Sequence, residues 1–298
     1  MKLKKGDTVA LVAPAGIIKD TGIIDQAEHL LAEWGLKTVV GRHVSNRKEV
    51  FAGTDTERLQ DLQEALDSPE VKLIWALRGG YGTNRIIDRL DFAKFKQNPK
   101  LIAGYSDITI LHNKLHNLGY PSIHSIMPVN LNEKISEKIL ELTRKAFFGE
   151  PLHFSFDFSM ENTNFQSVEA VVIGGNLAIL YSLLGTNLDV DTTGKILLIE
   201  DIGEKLYQID RMIISMKKAG KFEGIKALLV GQFTDIPQET PGFDRDYRQL
   251  IKEHLAEYDF PVIFDVPVGH ITENYPLILG KNLLIKNKEN TIELIQNS

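Results

Sequence analysis

In the run PKLIAGYSDITILH, residues 99–112, an apolar stretch ends in Gly104 and Tyr105, and Ser106 and Asp107 then open an apolar-periodic segment. Two readings fit Ser106. A Ser or Asp ahead of a helix satisfies orphan backbone N–H groups, so the residue can be a cap. A buried strand running straight into a helix also describes the strand-turn-helix elbow that presents a nucleophile, although Ile108 stands where G-x-S-x-G has its second glycine. The chemistry of the second reading is acyl transfer. A serine hydroxyl is a weak nucleophile at neutral pH and needs a base within hydrogen-bond reach, itself oriented by a third group.

Among the eight histidines, His112 and His116 have the four-residue spacing of a helical metal pair. HNKLH lacks the glutamate of H-E-x-x-H and has no third ligand nearby, so no metal site and no cofactor is expected. His29 and His254 lie in amphipathic helices, His153 in an irregular stretch, and His43 and His124 near strand ends. His270 follows Gly269 at the end of PVIFDVPVGH and begins a loop carrying Asn274 and Pro276, where a rigid strand can hold a base. Glu200 closes the buried run KILLIE ahead of Asp201; it is either a solvated strand end or the orienting carboxylate.

A tetrahedral oxyanion needs two donors, each lowering the barrier by about 2.7–4 kcal/mol. The Asp107 N–H at the helix start is one, and Gly79 or Gly80 in LRGGYG can bring a second close. That loop could instead cradle phosphate, but it has neither G-x-G-x-x-G nor a Walker lysine.

The elements that must position these groups alternate in the first half: TVALVA, LKTVV, VKLIWAL and KLIAGYS read as strands. Helices are expected at 24–34, 59–66 and over TNRIIDRLDFAKF. This pattern implies a parallel sheet covered on both faces, with sites beyond the carboxyl ends of its strands. From 151 to 168 the chain is polar, aromatic and non-periodic, so residues 1–150 form one domain, 151–168 a connection and 169–298 a second, mixed α/β domain. The order Ser106, Glu200, His270 then puts the nucleophile on the first domain and the other two groups on the second, with the cleft between them as the site.

The formal charge of −6 gives no basic field for a phosphate backbone, so nucleic acid is not the expected partner. No apolar run approaches the ~20 residues that span a bilayer. The lysines of MKLKKGDTVALVAPAG imitate a signal peptide, but Gly6, Asp7 and Thr8 break it into a turn and a strand. With no cysteine, disulfides and thiolate metal sites are impossible, which fits the cytoplasm.

The motifs LRGGYGTNRIIDRLD, IAGYSDIT, IGGNLAIL, LLIEDIGEKLYQIDRM and PVGHITENYPLILG, in this order, resemble the LD-carboxypeptidases, a serine peptidase family (S66) that includes muramoyltetrapeptide carboxypeptidase and the microcin-immunity hydrolases. The resemblance covers essentially the whole chain. It implies a Ser106-Glu200-His270 triad, an oxyanion hole of the Asp107 and Gly80 amides, and a flavodoxin-like amino-terminal domain with a smaller carboxyl-terminal one, assembled as a homodimer. The activity it implies is release of terminal D-alanine from the L-Lys or meso-diaminopimelate residue of a murein tetrapeptide, in cytoplasmic wall recycling. Such an activity also requires a cation for the free carboxylate, for which Arg78 is the candidate and Arg85 and Lys205 the alternatives. Hydrolysis of a peptidyl-nucleotide amide, as in the microcin-immunity branch, is the alternative, for whose added loop the chain is short; a two-domain protein that binds a small ligand without chemistry is the other. Ala15 stands where serine is common, and Ser125-Ile126 where HGP is common, departures that bear on substrate fit.

Overall fold

The structure, a computed structural model, describes residues 1–157, 165–238, 240, 242–288 and 291–297. In the first half, β1 (Thr8–Val12) leads to α1 (Gly22–Glu33), whose Ile23, Ala27 and Leu31 recur every four residues and are buried. After β2 (Lys37–Val40), α2 (Asp55–Asp67) starts at a reciprocal cap: Glu57 N donates to Thr54 Oγ1 and Thr54 N to Glu57 Oε2. Its last turn is met by buried Lys100, whose Nζ donates to Leu66 O at 2.8 Å. Next come β3 (Val71–Ala76), α3 (Ala93–Gln97), β4 (Leu101–Gly104), α4 (Thr109–Asn117), β5 (Ser122–His124) and α5 (Glu137–Phe148).

The segment expected as one helix over TNRIIDRLDFAKF is instead two 3-10 turns, 83–85 and 87–89, followed by short α3. Its Ile86, Ile87, Leu90, Phe92 and Phe95 are buried as the periodicity implies. Leu90 is extended, however, and the Asp91 carboxylate accepts from Ala93 N at 2.8 Å, replacing a bond that a continuous helix would make internally.

The five strands of this half are parallel in the order β2-β1-β3-β4-β5, the flavodoxin-like arrangement in which ligands gather at the carboxyl ends of the strands. Ser106 follows β4, and Arg78 and the two glycines follow β3.

The second half opens with β6 (Leu152–Asp157), inside the stretch read as a connection. Leu152 and Phe154 are buried while His153 and Ser155 are exposed, a period of two that the polar composition of the segment masked. Of the rest of that connection, 158–164 lie outside the described residues, and 167–168 already belong to the next strand. There follow β7 (Ser167–Asn176), α6 (Leu177–Ser182), β8 (Ile196–Ile202), α7 (Leu206–Lys218), β9 (Ala227–Thr234), α8 (Tyr247–Leu255) and β10 (Val262–Ile263), then β11 (Leu277–Leu279), β12 (Asn282–Lys288) and β13 (Thr291–Gln296). The second sheet has the order β10-β9-β8-β7-β12-β13-β6; β7 to β10 are parallel with a helix in each crossover, and the rest pair antiparallel.

The last strands follow one another without helices, as expected, but they divide between sheets. β11 joins the first sheet antiparallel to β5. Gln296 locks the division, accepting from Ile278 N at 2.8 Å and donating to Ile278 O at 3.0 Å.

Strand alternation aims the acid. Leu197 and Ile199 of β8 belong to a core shared with Ile209, Ile213 and Met216 of α7, whereas Ile196 and Leu198 belong to the core that contains Leu73 and Trp75 of the first half. Period two places Glu200 on the side of Leu198, toward the first half.

Candidate active site

The backbone at Ser106 has φ +62°, in the left-handed region that a non-glycine side chain adopts at a strain of roughly 1–2 kcal/mol. Neither the 3-10 turn at 106–108 nor α4 has a side-chain cap, so the hydroxyl is not spent on helix capping, and it lines a cleft. The missing second glycine of the elbow motif has a steric explanation. A Cβ on Gly104 would stand 3.0 Å from Ile108 Cγ1, so the first glycine clears the space that the motif ordinarily clears with the second. His112 steadies this approach from behind: its Nε2 donates to Gly104 O at 3.0 Å, and its Nδ1 accepts from Ser122 Oγ at 2.8 Å. Both ring nitrogens of His112 are thus used inside the fold, and burial pushes its pKa down to about 4.

Across the cleft, Glu200 lies fully buried near the end of β8, two residues before its last, and His270 Nδ1 lies 2.7 Å from Glu200 Oε2. A carboxylate only accepts, so Nδ1 carries the proton and Nε2 is left with a lone pair. Burial pushes the imidazole pKa down, but the hydrogen bond and charge of Glu200, with Asp201 and Asp235 behind it, more than offset that and hold it above its ordinary value. The ring also packs edge-on against Tyr105, the residue before Ser106, at 4.8 Å between centroids. Ser106 and His270 line the same cleft; among the described residues no hydrogen bond joins them, a contact that free enzymes often close only around substrate.

The acid strand is tied to the nucleophile helix by groups that do not stand out in the sequence. Asp201 Oδ1 accepts from Asn176 Nδ2 at 2.8 Å and Oδ2 from Ala178 N at 2.8 Å, while Asn176 N donates to Thr109 Oγ1 at 3.1 Å at the start of α4. Burial, then the neighbouring charge of Glu200, push Asp201 up to about 7 despite these donors. Asn176 also caps α6, its Oδ1 accepting from Ile179 N.

Gly79 and Gly80 form the other wall. Gly16 N donates to Gly79 O at 2.9 Å; in a trans peptide the Gly80 N–H therefore points away from Gly16. The Asp107 amide nitrogen lies 3.4 Å from where a Cβ on Gly79 would stand, so it abuts the glycine loop that carries the Gly80 amide. The Asp107 side chain is buried, and its Oδ2 accepts from Thr83 N at 2.8 Å, clamping the glycine loop to the elbow. Burial raises the pKa of this carboxyl.

The cleft measures about 610 Å³, and both halves of the chain contribute: Arg78, Gly79, Gly80, Tyr105, Ser106, Met127, Val129, Asn130 and Glu133 from the first, Ile202, His270, Ile271 and Thr272 from the second. Of the three cations considered, Arg78 lines it, half-buried, with Nη1 donating to Ile17 O. Arg85 pairs with Asp55 at 2.8 Å, and Lys205 stands at the head of α7 with its Nζ 5.8 Å above the Tyr207 ring. Asn130 and Glu133 carried no sequence signal, because nothing in NLNE marks a site. Ala15, Ser125 and Ile126, the departures expected to bear on substrate fit, are fully buried, and among the described residues none lines the cleft. His43 and His254 pair with Asp61 and Asp210, each at 2.7 Å, away from the cleft; His124 is buried behind Tyr105, their rings 5.7 Å apart.

Residues 9–125 match the model of the LD-carboxypeptidase N-terminal domain and residues 169–285 that of the LD-carboxypeptidase C-terminal domain. A probable murein peptide carboxypeptidase of Bacillus subtilis is 32% identical, with 97% of this chain and 92% of that protein covered. The murein tetrapeptide carboxypeptidase of Pseudomonas aeruginosa is 29% identical over 93% of this chain and 92% of its own. The muramoyltetrapeptide carboxypeptidase from Oxalobacter formigenes superimposes with a TM-score of 0.88 at 29% identity, covering 98% of this chain and 99% of that one. MccF in complex with glutamyl sulfamoyl guanosine shares the fold, with a TM-score of 0.89 at 21% identity over 100% of this chain and 98% of its own.

Proposed function

The chain belongs to the LD-carboxypeptidase family, peptidase family S66, and from that premise we propose that it is a serine carboxypeptidase that releases terminal D-alanine from murein tetrapeptides through an acyl-enzyme. The observation that carries the reading is the His270–Glu200 hydrogen bond, with the lone pair of His270 and the strained Ser106 lining one cleft. Ser106 Oγ bonds to the carbonyl carbon of the scissile amide while His270 Nε2 takes the hydroxyl proton. The Asp107 and Gly80 amides hold the oxyanion. The C–N bond then breaks and His270 returns the proton to the departing amine; water repeats the sequence on the ester and frees Ser106. Glu200 keeps the imidazole in the tautomer this requires, and Arg78 receives the terminal carboxylate.

The same reading includes cytoplasmic action and a homodimer. Among the described residues no helix is long and apolar enough to cross a membrane. Its test is D-alanine release from a tetrapeptide by wild type and by Ser106→Ala; the variant is expected to be folded and inactive, and retained turnover removes Ser106 as nucleophile. A peptidyl-nucleotide amide assayed alongside separates the rival substrate. Labelling of Ser106 by a fluorophosphonate argues against a protein that only binds.

A further inference from the structure

One charged side chain in the cleft has no part in the mechanism above. Glu133 lines it on the same side as Tyr105 and Asn130, and among the described residues no lysine or arginine pairs with it. Glu133 is exposed, and its position in the cleft is set by Asn130: Asn130 Nδ2 donates both to Glu133 Oε1 at 3.3 Å and to Tyr105 OH at 3.1 Å, and Glu133 N donates to Asn130 O at 2.8 Å. Contacts therefore run from Glu133 through Asn130 and Tyr105 to Ser106, and onward through Gly79 to Arg78. Along this path the nucleophile separates the one carboxylate of the cleft lining from its one arginine.

We infer that Glu133 is a specificity-determining residue that takes a side-chain ammonium on the residue supplying the acyl group, while Arg78 takes the carboxylate of the residue that leaves. This rests on the proposed peptidase reading and deepens it by assigning to Glu133 the recognition of the side chain immediately before the scissile bond. The carboxylate keeps acceptor capacity beyond its bond to Asn130, and an unpaired anion facing a cleft attracts a cation strongly only where another group fixes its position, as Asn130 does here. An acidic side chain at the same substrate position meets repulsion, and a neutral one leaves Glu133 to water.

The test compares tetrapeptides ending in D-alanine that differ only in the preceding side chain: lysine, norleucine or glutamate. Wild type is expected to favour lysine over norleucine in kcat/KM by about tenfold, the scale of one charge-assisted hydrogen bond, and to disfavour glutamate. Glu133→Gln is expected to bring the lysine-to-norleucine ratio near one, and Glu133→Lys to invert the order of lysine and glutamate. A merely structural role lowers all three peptides together and leaves the ratios standing. Wild-type ratios retained in Glu133→Gln, with D-alanine still released, overturn the assignment of Glu133 alone. Wild type that releases D-alanine from none of the peptides takes down the peptidase reading and this inference with it.

Discussion

A Cβ built on Gly79 would stand 2.8 Å from Ser106 Cβ, closer than real Cβ contacts come, and 3.0 Å from Ser106 Oγ. The glycine is therefore required by what sits opposite it. Gly79→Ala has to push the elbow or its own loop aside, and both carry proposed catalytic groups. We expect a stability loss of about 1–3 kcal/mol, typical of overpacking, and a fall in kcat on the order of 10²-fold, since an oxyanion donor and the nucleophile move apart. Thermal denaturation beside steady-state kinetics checks both; an alanine variant with wild-type kcat shows that the contact is tolerated.

The His270–Glu200 bond fixes the direction of the pH response. Catalysis uses the neutral imidazole, whose pKa is held above 6.5, so kcat/KM is expected to rise with pH through a midpoint above that value. Stability runs the other way. A base whose folded pKa exceeds its unfolded one contributes stability that is complete below about 6.5 and lost as pH climbs through the folded pKa. Glu200→Gln removes the partner that raises the value and leaves burial, which lowers it. Imidazole titration followed by NMR is expected to show the midpoint of His270 falling below 6.5 in this variant, with kcat reduced on the order of 10⁴-fold through loss of the tautomer. An unmoved titration contradicts the assigned cause.

Asp107 performs two tasks that mutation can separate. Its backbone N–H is the proposed oxyanion donor and survives any ordinary substitution, whereas its side chain accepts from the buried Thr83 N. Asp107→Ala leaves that donor without a partner, at a cost of about 1–3 kcal/mol, and unlatches the loop that bears Gly80. Asp107→Asn keeps an acceptor and is expected to lose less of both stability and kcat. Urea denaturation and kinetics on the pair rank them; equal losses indicate that the charge, not the acceptor, holds the loop.

The strand-and-helix rhythm of the first half was legible because it is written in one side chain per turn or per pleat, as at Ile23, Ala27 and Leu31. The sequence also pointed to Ser106, Glu200 and His270 as residues at element ends, and the fold brings two of them into contact and all but Glu200 into the cleft lining. What it hid depends on distant neighbours. β6 looked irregular because only one face of LHFSFD packs, and its partner β13 lies at the other end of the second half. The clamp from Asp107 to Thr83 and the placement of Glu133 by Asn130 involve ordinary polar residues whose meaning appears only once the chain has closed. The broken helix at 83–97 misled for the opposite reason: burial made its spacing periodic, but a local carboxylate bond decided the backbone.

The φ of +62° at Ser106 offers a test of the elbow that needs no substrate. At an ordinary position Ser→Gly is less stable than Ser→Ala by about 0.5–1 kcal/mol, because glycine loses more chain entropy on folding. In the left-handed region a Cβ costs roughly 1–2 kcal/mol, which exceeds that entropy and reverses the order. Ser106→Gly is therefore expected to be more stable than Ser106→Ala by up to about 1 kcal/mol, although neither has a hydroxyl and both are inactive. Urea unfolding of the two variants gives the difference directly. An alanine variant at least as stable as the glycine one means that the turn relaxes without cost, and that the serine is not held in strain by the strand and helix on either side of it.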